Sequence, residues 1–191
     1  MGAPWWQCLL LQSAPVILTA RLVYQPIDTR WAAGAEGERR TAALLVPLRQ
    51  DGWYVLHDRA IPATRANADH ILVGAAGVFV IDSKHWSAKA TVRVRGGRLW
   101  HGRADRTEQL RTATWETQQV ARALGVAAAT IVVVHGAEVP DGKITLDGVT
   151  VVGARRLQHL VRSLTPIPGY DTERVRQLAA AADRTFPPYT S

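Results

Sequence analysis

Residues 68–86, "ADHILVGAAGVFVIDSKHW", contain two apolar runs of strand length separated by two alanines and flanking glycines. That pattern predicts a β-hairpin, with Gly74 and Gly77 supplying the flexibility that Ala75-Ala76 lacks. Val78, Phe79, Val80 and Ile81 read as a strand buried on both faces, and Asp82 and Lys84 then interrupt it with Ser83 between them. Alternate strand side chains share a face, so Asp82 and Lys84 point one way and Ser83 the other. With the turn centred between Ala75 and Ala76, Val73 faces Val78 and Asp69 faces Asp82. Directly opposed positions have Cβ atoms only about 4.5–5.5 Å apart, and two carboxylates so placed repel unless something compensates.

Three compensations are open: a proton on one carboxyl, an arginine between them, or a divalent cation bound by both. Oxygen-only ligands of this kind suit Mg2+ or Mn2+. Lys84 lies about one strand repeat from Asp82 on the same face, where a cation can touch bound water and steady charge on a phosphoryl group. An acid-x-Lys triplet alone arises readily by chance. The register-matched Asp69 and the apolar strand give it weight. In "GAEGERRTAALL" (34–45), Glu38 precedes Ala42 and Leu45 by four and seven residues, which predicts it on the core-facing side of a helix near the strand ends.

Outward from this hairpin the chain alternates between helix and strand patterns. A helix of about three turns is expected in "AGAEGERRTAALLVPLRQDG" and a strand in "WYVLHDRAI". "ATVRVRGGRLW" reads as a second, more polar hairpin turning on Gly96-Gly97, and "RTEQLRTATWETQQVARALG" as a long helix closed by Gly125. "TIVVVHG" and "GVTVVG" are apolar strands, "ARRLQHLVRSL" is a short amphipathic helix, and a last helix near 171–185 with its tail reads as peripheral. The order implies an α/β fold: a central mixed β-sheet flanked by helices. The expected divisions are an N-terminal extension over 1–30, a core domain over 31–165, and a C-terminal helix and tail over 166–191.

The net charge is +7 over 191 residues, which makes a polyanionic partner plausible. Arg93 and Arg95 share a strand face, and Arg98, Arg103, Arg106 and Arg111 follow, as in a basic rim that holds phosphates. The competing reading is a solvated hairpin. Trp86 and Trp100 suit base stacking, though core packing is the commoner use of tryptophan. His70 and His85 point away from the acidic face by strand alternation and read as core or supporting residues. His57, His101, His135 and His159 show no metal-ligand spacing. Cys8 is the sole cysteine, which excludes an intrachain disulfide or a cysteine zinc cluster and fits a reducing, cytoplasmic location. The apolar stretch from Cys8 to Ala20 is shorter than the roughly 20 residues needed to span a bilayer. It also has no basic residue before it, as a signal peptide would. Trp5 and Trp6 leave a weak peripheral membrane contact open.

"GAEGERR", "VLHDRAIP" and "ADHILVGAAGVFVIDSKHW", with the arginine-rich segment after "GGRLW", resemble the nuclease-related domain (NERD) family. That family is similar to the restriction-endonuclease-like, PD-(D/E)xK, group, and the resemblance runs from about Trp31 to about Leu164. It implies a restriction-endonuclease-like core and a divalent-metal-dependent nuclease. On this reading Glu38, Asp69, Asp82 and Lys84 are catalytic, with Asp69 and Asp82 binding Mg2+ (or Mn2+). Asp82 stands where the family usually carries Glu. The family tends to place a Gln in the following helix, for which Glu116, Gln118 and Gln119 are all candidates. Arg93, Arg95, Arg103 and Arg106 would bind nucleic acid, DNA favoured over RNA. A homodimer, or a helicase or other DNA-processing partner, is the company such a domain would keep. The alternatives are a non-cleaving nucleic-acid-binding module and a partner-recruiting module on the same scaffold.

Overall fold

The computed structural model describes residues 34–190. The expected N-terminal extension, with Trp5, Trp6 and Cys8, lies outside the described residues. Helix α1 covers residues 34–45 and runs into a short 3-10 turn, Val46–Arg49. The strands are β1 (Tyr54–Ala60), β2 (Asn67–Gly74), β3 (Gly77–Arg95), β4 (Arg98–His101), β5 (Ala104–Asp105), β6 (Ala128–Glu138), β7 (Lys143–Leu146) and β8 (Val149–Gly153). Helices α2 (Thr107–Leu124), α3 (Leu157–Arg162) and α4 (Thr172–Thr185) complete the described chain. The strand order is β1-β2-β3-β6-β8-β7, with β4 attached to β3 and β5 to β4. β3, β6 and β8 run parallel, and β1, β2 and β7 are antiparallel to their neighbours. This is the mixed sheet expected.

Strand alternation sorts β3 between two cores. Phe79 and Ile81 join Leu45, Leu48, Ile131, Val133, Leu157 and Val161 on the face covered by α1 and α3. Val78 and Val80 join Val120, Val175, Leu178 and Phe186, and further along Trp86 joins Leu110, Ala113, Val132 and Val134, on the face covered by α2 and α4. The result is a helix–sheet–helix sandwich, and from Gly37 onward the chain forms one compact unit. Among the described residues no helix is long and apolar enough to cross a membrane.

Three expectations need correction. The second hairpin turns on Gly96-Gly97 as expected, but its first strand is not separate: it is the far end of the 19-residue β3, which shifts register between Trp86 and Thr91. The C-terminal helix is not peripheral, because Phe186 has no exposed surface and α4 closes the second core. Arg59 also donates to the Phe186 carbonyl at 3.0 Å. Finally, the buried line of α1 is Gly37, Thr41 and Leu45, rotated by one residue from the expected Glu38–Ala42–Leu45 face. Gly37 lies on that buried line, where a Cβ would be in ordinary contact with the His85 Cβ at 3.5 Å. Glu38 falls at the flank, half-buried.

Candidate active site

The β2–β3 ladder follows the predicted register, pairing Gly74 with Gly77, Val73 with Val78 and His70 with Ile81. Asp69 and Asp82 are the next opposed positions. Gly74 has a role the turn did not suggest: a Cβ there would run into the Trp53 indole, so glycine lets the ring close over the hairpin.

Asp82 is 6% exposed and receives a 2.6 Å ion pair from Lys84 Nζ on its Oδ1. Its Oδ2 is buried without a hydrogen-bond partner. Burial pushes the Asp82 carboxyl above its ordinary range, and the Lys84 ammonium pulls it part of the way back. Asp69 accepts a 2.7 Å hydrogen bond from the backbone N–H of Ser83. Burial, then the charge of Asp82, drive Asp69 well above the usual carboxylate range despite that bond. Desolvation opposes the charge on Lys84, but Asp82 outweighs it and raises the lysine further, so Lys84 is held as a cation.

Glu38 and Glu116 approach this centre from opposite faces of the sheet. Glu38 is raised by burial first, then by Asp58 and Asp82. Glu116 of α2 lies between the buried Ala113 and Val120 and is pushed up to about 7, by burial and then by Asp82. Of the three candidates on α2 it is the one that senses the acids. Gln118 is exposed, and Gln119 accepts from Arg122 at 3.0 Å on the outer surface.

A family of this kind implies a divalent cation. The all-oxygen donor set and the orphaned Asp82 Oδ2 fit such an ion. Among the described residues no group of three or more His, Cys, Asp or Glu side chains converges as a ready-made cage. The fit is therefore to an open two-carboxylate site, completed by water or substrate oxygens.

Beneath the acids, on the α1 face, lies a buried polar chain. Ser83 Oγ donates to Thr41 Oγ1 at 2.9 Å, and Thr41 donates to the Gly37 carbonyl at 3.1 Å. His135 Nε2 is 2.8 Å from Thr41 Oγ1, His70 Nε2 is 3.4 Å from Ser83 Oγ, and His57 Nδ1 is 2.9 Å from His70 Nδ1. One self-consistent proton assignment serves them all: His57 Nδ1–H donates to His70, while His70 and His135 donate through Nε2–H. Burial, then its histidine neighbours, lower His70 to about 3, so its ring is neutral in this assignment. Expecting His70 to face away from the acids was correct. Thr41 and His135 escaped the sequence reading, which looked for metal-ligand spacing rather than for a polar residue at an inner helix position.

The nuclease-related domain model matches residues 33–140, more than half of the chain. The chain belongs to the NERD family. Searches of curated proteins and of solved structures returned no match. The matched segment runs from α1 through β6, so it holds Glu38, Asp69, Asp82, Lys84 and Glu116 together. The mixed sheet between helical layers is the restriction-endonuclease-like core that this family implies.

The arginines of the NERD domain separate into two groups. Arg93, Arg95 and Arg103 line one cavity with Arg98 and Trp100. Arg106 stands apart, with its guanidinium 5.5 Å from the centre of the Trp86 ring. Trp86 itself is 4% exposed and stacked on His101, so it belongs to the core and is not a surface for bases.

Proposed function

We propose that this NERD domain is a divalent-metal-dependent nuclease that hydrolyses phosphodiester bonds, in DNA rather than RNA. The observation that carries the reading is the pairing of Asp69 and Asp82 at the hairpin end, with the Asp82 Oδ2 buried and unsatisfied beside the Lys84 cation. Two buried, opposed carboxylates with one oxygen left unsatisfied are hard to explain without chemistry or a cation.

Asp69 and Asp82 would hold Mg2+ or Mn2+. The ion supplies a Lewis acid that lowers the pKa of bound water and offsets phosphate charge. The residues of the chain do the rest. The Ser83 N–H fixes the orientation of the Asp69 carboxylate. Lys84, kept protonated by Asp82, faces the substrate as a cation and stabilises the negative charge that develops on the phosphoryl oxygens. In that protonation state it cannot take a proton from water. Glu116 keeps its own proton up to about pH 7 and is the nearby carboxylic acid able to donate one. Glu38 adds a flank carboxylate that supports Lys84. The net charge of +7 favours a polyanionic substrate, and the sole cysteine suits action in the cytoplasm.

The test is incubation of supercoiled plasmid and linear duplex with purified protein in Mg2+, Mn2+ or EDTA, beside Asp82→Ala. Metal-dependent nicking or degradation that vanishes in the variant is expected. Cleavage that survives Asp82→Ala removes the assignment. DNA retention without cleavage favours a binding module, a reading that the absence of a three-ligand cage among the described residues keeps in play.

A further inference from the structure

Strand β3 does not end at the acids. It carries Asp82 and Lys84 near its middle and continues to Arg93 and Arg95, where it turns into β4. On this hairpin Arg93 lies opposite Trp100, and Arg95 lies opposite Arg98. All four side chains share one face, since directly opposed and next-but-one positions point the same way. With Arg103 they line a cavity of about 550 Å³.

The face is arranged rather than merely solvated. Arg93 is braced on the Gly102 carbonyl at 2.9 Å, and the Trp100 Nε1–H is tied to the Arg95 carbonyl at 3.3 Å. Arg98 has Asp105 as a counter-ion at 3.0 Å. Among the described residues the Arg95 and Arg103 guanidinium groups have neither hydrogen-bond nor ion-pair partner. Like charges directly opposed across a hairpin destabilise it by some tenths of a kcal/mol, so Arg95 against Arg98 repeats with cations what Asp69 against Asp82 does with anions. The missing partner here is an anion. Arginine beside an aromatic ring in a basic groove suits a nucleic-acid strand.

The distance between the two places follows from the ladder with β6. Lys84 pairs with Val134 and Thr91 with Glu138, so the bulge after Trp86 lets β3 advance only four rungs over that stretch. Two more residues reach Arg93 and four reach Arg95. At a rise of about 3.3 Å per residue the path along the strand from Lys84 to the arginines is about 20–26 Å. B-form DNA advances 3.4 Å per nucleotide of each strand, so that span is about six to eight base pairs.

We propose that the β3–β4 hairpin is a second grip on the same DNA molecule, holding backbone phosphates about six to eight base pairs from the bond that is cut. The proposal rests on the nuclease reading only for the location of the cut. The grip makes binding and cleavage depend on substrate length, because a duplex too short to span both places engages only one of them.

The test uses fluorescein-labelled mixed-sequence duplexes of about 6, 10, 14 and 20 base pairs, with anisotropy measured in EDTA at several salt concentrations. Affinity is expected to step upward between about 6 and 14 base pairs and then level off. Arg95→Gln with Arg103→Gln, both at exposed positions, should remove the step and lower the log–log salt slope by about two, one per lost phosphate contact. Trp100→Ala should weaken binding with little change in slope. Equal slopes in wild type and the double variant, or affinity that ignores length, overturn the proposal. A parallel digestion with Mg2+ separates the two ideas. Length-dependent, arginine-dependent binding without any cleavage leaves the grip standing and removes the nuclease. Cleavage of 6- and 20-base-pair duplexes at equal kcat/KM removes the grip and leaves the nuclease.

Discussion

The Ser83 backbone N–H donates to the Asp69 carboxylate at 2.7 Å, while the Ser83 hydroxyl on the other face donates to Thr41 at 2.9 Å. One residue thus holds an acid with its main chain and is itself pinned to α1 by its side chain. Thr41 is the junction of that chain, accepting from Ser83 and lying 2.8 Å from His135 Nε2.

Thr41→Val keeps the shape and removes the junction. It removes the oxygen that the Ser83 hydroxyl and His135 Nε2 both meet. Such groups cost about 1–3 kcal/mol each when unsatisfied, so urea denaturation should show a loss in that range. Ser83→Ala should lose less, because Thr41 still donates to Gly37. It should also retain metal-dependent cleavage, since the N–H that holds Asp69 is untouched. The double variant should be less destabilised than the sum, as for residues that share one network.

Asp69→Asn separates stability from activity. Its carboxyl is raised by burial and by Asp82, so at neutral pH the charged form is carried against resistance. An amide in its place can still accept from Ser83 while removing the repulsion. In EDTA the variant should melt at a higher temperature than wild type and should cut nothing in Mg2+. A lower melting temperature would mean that the opposed acids are not a source of strain.

Glu116 gives a pH signature. Its folded-state pKa, about 7, lies above the unfolded value of 4.5, so the folded protein binds this proton more tightly. The contribution is fully present below about pH 4.5 and is lost as the pH rises through about 7. Asp82 and Lys84 face the group from β3 and set the size of the effect. Glu116→Gln should match wild type in thermal stability near pH 4.5 and exceed it near pH 8, both measured in EDTA. Parallel melting curves at the two pH values would show that α2 does not desolvate this carboxyl.

The hairpin register was legible because period-2 alternation and two glycines admit one alignment, and Asp69, Asp82 and Lys84 follow from it. The helix face was misjudged by one residue because apolar periodicity weighed Ala42 above Thr41. The inner position there belongs to a hydroxyl that is buried because it is bonded. The β7–β8 hairpin went unread although Asp147-Gly148 announces it, with φ of 48° and 78°. Choosing Glu116 over Gln118 and Gln119 needed the rotation of α2 against the sheet, which Ala113 and Val120 fix only once their partners on β3 and β6 are known. The composition of α4 hid its packing: its apolar residues are alanines and single large side chains, a weak signal for a core element.

Phe186 tests that last point. It is fully buried among Val175, Leu178 and Ala182, beyond the end of the family match at residue 140. Phe186→Ala should lower stability by about 3–5 kcal/mol, as for other buried phenylalanines. A loss below about 1 kcal/mol in urea denaturation would return α4 to the periphery.

Gly74→Ala tests the hairpin from its other side. Trp53 packs edge-on against Phe79 with ring centres 5.8 Å apart and lies over the Gly74 backbone, so an added methyl must displace the indole. Overpacking of this kind costs about 1–3 kcal/mol. Because Asp69 and Asp82 sit at the opposite end of the same ladder, the expected result is a lower melting temperature with tryptophan fluorescence shifted to the red, while cleavage per folded molecule is unchanged. A fall in cleavage larger than the unfolded fraction explains would show that the ladder transmits the displacement along its five rungs from Gly74 to His70.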